Sequence, residues 1–251
     1  MTHVKVYLAL GTLIVMTNPA QSLADADPYI VMQNNGARLA LAVGGGAIVE
    51  FRFVDHDVNP LNFEATDDIE PRQEGQPFLR GHFVCLDRWG APSLAEAKNG
   101  VPFHGEAPRI IWQVSEPPKQ RDDDVVARMG CQLPLAGLKV ERELRLRTSS
   151  GQGSSGQGSS GQGSSALVAV TEEVTNENKL GRVYNLVQHP SIAPPFLDER
   201  TRVDSNAKRG FVQLPESTLA TMPWPRVRMD GESVDLRTFE NPTAPATRHD
   251  V

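Results

Sequence analysis

Apolar and polar residues alternate in short runs along most of this chain, and glycines and prolines separate the runs. The clearest run is Leu138–Arg147. Leu138, Val140, Leu144 and Leu146 fall on one face, while Lys139, Glu141, Glu143, Arg145 and Arg147 fall on the other. A two-residue period of this kind predicts a half-buried antiparallel strand. Tyr29–Asn34, Arg38–Val43, Ala47–Val54, Arg109–Ser115, Val125–Leu133, Ala166–Thr175 and Arg182–His189 read the same way, with Gly36 and Gly44-Gly45-Gly46 as turns between the early ones. No window carries a helical stripe, and 19 prolines spread along the chain penalise long helices. The expectation is an all-β fold, a large antiparallel β-sandwich.

Three segments depart from this rhythm. The first 24 residues combine Lys5, an apolar run from Val6 to Met16 and the small-residue site Ser22-Leu23-Ala24. That pattern predicts an export signal cut after Ala24, with an apolar run too short to span a bilayer. Residues 25–251 then form a single domain, secreted or periplasmic, with no membrane association after cleavage. Gly151–Ser165 is three copies of Gly-Gln-Gly-Ser-Ser, a composition that buries no apolar surface. It reads as a flexible loop lengthening the hairpin between two good strands, at a closure cost that grows only logarithmically with length. Its Gly151, Gly153 and Gly156 spell a dinucleotide fingerprint, but no helix pattern follows, so the match is discounted. From about Pro215 the sequence is expected to be an irregular tail, either wrapping the surface or ending before its domain does.

Composition narrows the partners. The formal charge of −6, one unit more negative without Lys5, and the lack of a basic run argue against nucleic acid. Cys85 and Cys131 are the only cysteines; a disulfide and two buried thiols are equally open readings. Without a Cys-x-x-Cys pair, a structural zinc site is not expected, and nothing calls for a metal or cofactor.

The candidate chemistry centres on two histidine segments, Gly100-Val-Pro-Phe-His104-Gly-Glu106 and Tyr184-Asn-Leu-Val-Gln-His189-Pro-Ser-Ile192. Each sets an imidazole beside a turn-forming residue at the end of a β-like run. Imidazole titrates near neutrality, so two of them converging from different strands can bind a hydroxylated ligand and move its protons. Gly105 lets the backbone approach closely and Pro102 fixes the turn. Glu106 is expected to be a surface or cleft-rim carboxylate.

Taken in order, Arg80-Gly81-His82-Phe-Val-Cys-Leu-Asp-Arg88-Trp89-Gly90, Gly100-Val-Pro-Phe-His104-Gly105, Trp112, Val174-Thr175-Asn176-Glu177 and Leu186-Val187-Gln188-His189-Pro190 resemble the aldose 1-epimerases of the galactose mutarotase-like superfamily, near the hexose-6-phosphate epimerase branch. The resemblance covers roughly residues 30 to 215. It implies a sugar-binding cleft on one concave face of the sandwich and a monosaccharide or sugar moiety as partner. His189 would protonate the ring oxygen, His104 would contact the sugar's ring-side oxygens, and Arg80 would bind hydroxyls. His82 and Trp89 complete the implied binding set, and Trp89 or Trp112 is either a stacking platform or core. The family's general base is a glutamate on a late strand; Glu232 and Glu240 stand in no matching context, so the base is expected to be missing and the domain C-terminally incomplete. Two alternatives accompany this reading: a carbohydrate-binding protein without turnover, and a cupin-like metal enzyme using His82, His104, Glu106 and His189.

Overall fold

The computed structural model describes residues 28–66, 76–149, 165–210, 221–229 and 232–238. The predicted leader, most of the Gly-Gln-Gly-Ser-Ser repeat and Glu240 lie outside the described residues.

The chain is an antiparallel all-β sandwich. One sheet holds β1 (Tyr29–Gln33), β2 (Ala37–Ala42), β3 (Ile48–Phe53), β4 (His82–Leu86) and β9 (Leu186–Pro190), in the order β1-β2-β3-β4-β9. The other holds β5 (Gln113–Arg121), β6 (Asp124–Leu133), β7 (Leu138–Ser149) and β8 (Ser165–Asn176) in sequence order. Met32, Leu39, Leu41, Val84 and Leu86 from the first sheet meet Met129, Leu133, Leu138, Val140, Leu144 and Leu146 from the second in one buried cluster. The two inner faces thus form the core, as two packed sheets must. β7 carries the alternation read in its sequence: Leu138, Val140, Leu144 and Leu146 are all 0% exposed. Its charged face is tied by ion pairs such as Arg147 with Asp124 at 2.7 Å.

A smaller apolar cluster lies on the other face of the five-stranded sheet. Ala47, Ala65, Leu79, Phe83 and Cys85 are buried there, with Val49, Phe63, Trp89 and Val187 packed against them. Successive residues of β4 therefore divide between two interiors, with Val84 and Leu86 between the sheets and Phe83 and Cys85 beneath the loops. β4 and β9 pair over their whole length, from His82↔Pro190 to Leu86↔Leu186. β3 and β4 share the single pair Ile48↔His82.

Several expected boundaries move. Arg109–Ser115 is not one strand: Ala107–Arg109 is a 3₁₀ turn begun by Pro108, whose fixed φ suits a helical start. β5 begins only at Gln113 and continues through Pro117 and Pro118, which an edge strand tolerates, with two register shifts. Arg182–His189 is a strand only from Leu186, because the Arg182 guanidinium leaves for the Ala136 carbonyl and for Asp87, the latter at 2.5 Å. A one-turn helix, α1 (Leu94–Lys98), carries a capping box between Ser93 and Glu96. The expected irregular tail contains ordered ladders: β10 (Arg209–Gly210) pairs β11 (Met222–Pro223), and β12 (Arg226–Met229) pairs β13 (Glu232–Asp235). Cys85 and Cys131 are buried, form no disulfide and lie one in each apolar cluster. Burial pushes the Cys131 thiol up to about 12.

Leu144→Ala would open a cavity at the centre of the inter-sheet core and is expected to lower stability by about 2–5 kcal/mol in urea unfolding. Arg145→Ala, on the solvated face of the same strand, is expected to cost about 1 kcal/mol or less.

Candidate functional site

Pairing in β4 and β9 brings Phe83 opposite His189. Their rings stack with centroids 4.4 Å apart and planes 13° off parallel. His104 completes the group from the loop after α1, with its ring edge-on to His189 at 5.1 Å and to Phe83 at 5.7 Å. The two histidines nominated by the sequence therefore do meet. His104 is not at a strand end, however. It sits at φ 65°, in the left-handed region where histidine is more tolerated than most residues, and Gly105 follows at φ 77°. A side chain at 105 would bring its Cβ within 2.6 Å of the Leu86 carbonyl, so only glycine lets this loop close on the end of β4.

The loop also fixes the His104 ring. The Gly90 N–H donates to Nδ1 at 3.0 Å, while the His104 N–H donates to the Gly90 carbonyl at 3.1 Å. A nitrogen that accepts carries no proton, so the neutral ring holds its proton on Nε2. His104 is 1% exposed and His189 is half-buried, so His189 is the more open of the two. Ser191 Oγ stands 3.3 Å from His189 Nδ1. Trp89 packs on the apolar cluster beneath the pair.

Arg80 is buried and directed elsewhere: it donates to Tyr29 Oη at 2.9 Å, lies 3.8 Å from the Glu64 carboxylate and places its guanidinium over the Tyr29 ring. Desolvation, then the charge of Glu64, raises the Tyr29 phenol pKa.

The other nominated residues separate from the pair. His82 shares the face of Val84 and Leu86, between the sheets, because neighbours along a strand point opposite ways. Glu106 is not a rim carboxylate. It is 7% exposed, and its two oxygens accept the Leu135 N–H at 3.1 Å and the Ala136 N–H at 2.9 Å, holding the β6–β7 turn. The four ligands of the cupin-like arrangement therefore do not converge. Among the described residues no group of three or more His, Cys, Asp and Glu side chains is placed to hold a metal. Trp112 is core, 1% exposed, with its indole N–H on the Ala107 carbonyl at 2.9 Å. An open depression of about 530 Å³ between Leu135-Ala136 and residues 178–183 includes none of the nominated residues.

Where His82 points, an unforeseen polar chain begins. Its Nε2 lies 2.9 Å from Gln188 Oε1; Gln188 Nε2 donates to Glu172 Oε2 at 2.6 Å; Glu172 Oε1 accepts from Arg142 Nε at 2.7 Å. Arg142, 3% exposed, also donates to the Gly46 carbonyl and lies 4.5 Å from the Trp112 ring centre. The sequence signal was an arginine on the apolar face of β7, at the one even position between Val140 and Leu144.

The sequence matches no protein-family model, and no curated protein matches it. Among solved structures, the crystal structure of HI1317 is similar at 17% identity and a TM-score of 0.34, over 48% of this chain and 43% of that one. The chain thus spans less than half of that neighbour's length.

Desolvation lowers the His82 pKa and outweighs the bond from Gln188; Arg142 acts with it and Glu172 against it. The unfolded chain, with an ordinary histidine near about 6.5, therefore takes up a proton before the folded chain does. The neutral His82 supports the fold fully above that value, and the support is lost as pH falls toward the lowered folded pKa. Urea midpoints measured at about pH 7.5 and about pH 5.5 should fall less in His82→Gln than in the wild type. An equal fall in both would refute the assignment.

Proposed function

We propose that the chain is an aldose-1-epimerase-like protein, exported by the leader at residues 1–24, that binds a sugar at the outer face of the five-stranded sheet. The observation carrying this reading is the His104–His189 pair, at 5.1 Å and packed against Phe83. The ordered segments that resemble the aldose 1-epimerases support it. Exchange of anomers requires a proton for the ring oxygen and removal of the anomeric hydroxyl proton; rotation about the opened carbonyl and reclosure then invert the centre. His189 is the acid in this scheme. In its protonated form its charge stands over the π face of Phe83, a favourable arrangement. His104, 1% exposed and held by Gly90, packs edge-on against His189 and steadies its ring. Arg80, buried and engaged with Tyr29 and Glu64, drops out of the sugar contacts. Trp89 belongs to the floor of the site, and His82 drops out of the sugar contacts.

A sugar-binding role without turnover is the second reading. It is favoured by the engagement of Glu106 at the β6–β7 turn, which takes the carboxylate nearest His104 in sequence out of use as a base.

Polarimetry or proton NMR of freshly dissolved α-glucose and α-galactose tests the scheme. Anomer exchange should run faster than in buffer, and His189→Ala should reduce the enzymatic rate by about 10²–10⁴-fold. Full activity in His189→Ala would remove the assigned acid. Sugar binding by calorimetry without faster exchange would select the binding protein, and the absence of both would overturn the sugar reading.

A further inference from the structure

The geometry points to Gln188 as a positioning residue for His189, acting through the edge strand that carries both. The inference rests on the reading of His189 as the functional acid.

β9 has five residues and, among the described residues, one neighbour in its sheet, β4. β4 in turn joins β3 through one pair. Apolar packing on both faces holds β4, whereas β9 alternates exposed and half-buried residues, so its tilt depends more on what its side chains bind. Gln188 supplies a hold. It projects from the inner face while His189 projects from the outer, so a rotation that moves one moves the other oppositely.

The hold has a defined polarity. Glu172 is ionised beside Arg142, at 2.6 Å from Nη2, so both of its oxygens only accept. The Gln188 amide must then present its NH₂ to Glu172, and its carbonyl faces His82, whose Nε2 donates. Every group in His82→Gln188→Glu172←Arg142 has one role. The far end is anchored in the core by the Gly46 carbonyl and the Trp112 ring. Gly46 is required there: a Cβ would come within 2.5 Å of the Trp112 ring. The chain thus ties the edge of one sheet to the middle of the other and sets the tilt at which His189 stacks on Phe83.

Two variants read this out in the folded protein without sugar: Gln188→Leu, which keeps the volume, and Gln188→Glu, which sets a carboxylate against Glu172 and leaves the Arg142–Glu172 pair in place. In both, the His189 Hε1 resonance should lose the upfield ring-current shift from Phe83. Amides of residues 186–189 should exchange at least about tenfold faster relative to those of β7, with anomer exchange falling through kcat more than KM. A His189 signal and β9 protection unchanged in Gln188→Leu would overturn the proposal. Should Gln188→Leu not fold, the same two readings in Gln188→Glu decide alone. A protein that shows these shifts yet never speeds anomer exchange refutes the enzyme reading and leaves the positioning role standing.

Discussion

The arrangement of polar groups depends on one ion pair placed where the sandwich would otherwise be wholly apolar. Arg142 and Glu172 face each other across β7 and β8, with side chains 3% and 7% exposed. Taking two charges out of water costs several kcal/mol per ion, repaid only with close geometry and further hydrogen bonds. Both conditions are met: two guanidinium nitrogens reach Glu172 Oε1, and the Gly46 carbonyl and Trp112 ring take the rest of the arginine. The pair also specifies structure. A one-residue slip of β8 against β7 would turn Glu172 outward and leave Arg142 buried alone, which costs more than the slip of an apolar pair. Register between strands separated by a long polar stretch of sequence is therefore fixed by charge as well as by the apolar row.

From that anchor the strand geometry separates the chemistry into two compartments. Residues 82, 84, 186 and 188 look into the inter-sheet space, and residues 83, 85, 187 and 189 look out beneath the loops. Within the inner set Val84 is buried, while Gln188 and Leu186 lie at the exposed margin of the sandwich. The outer set holds His189, which His104 meets from the loop after α1. One strand pair thus couples the polar chain from Arg142 to the face that carries His189.

The strands were legible because burial on one face imposes a period of two, and Leu138–Arg147 displays it without interruption except at Arg142. That interruption was visible, yet its meaning required knowing that Glu172 interrupts Val168, Val170 and Val174 at the paired position. Register across residues 150–164 is not written in local sequence. The meeting of His104 and His189 was legible only through the ordered resemblance; His104 arrives on a loop whose path depends on Gly105 and on Gly90, fourteen residues upstream. Glu106 was misplaced for the same reason, since its partners Leu135 and Ala136 are distant in sequence. α1 was missed although Ser93-Leu-Ala-Glu96 is a capping box, because one turn has no room for an apolar stripe. The expected strand stopped at Ser115, short of Pro117 and Pro118, which an edge position permits.

The same bonds bear on which of the two sugar readings the site suits. The Gly90 N–H on Nδ1 commits neutral His104 to donating from Nε2, and an acid at His189 donates as well. Two donors grip the oxygens of a sugar, but ring opening also needs an acceptor for the anomeric hydroxyl proton. Glu106 is bound to two backbone N–H groups, and Glu64 stands beside Arg80. Both carboxylates are thus engaged by other groups rather than aimed at the imidazole pair. On the proposed reading, sugar binding and ring opening thus make separate demands: the first needs donors beside the imidazole pair, and the second needs a proton acceptor as well.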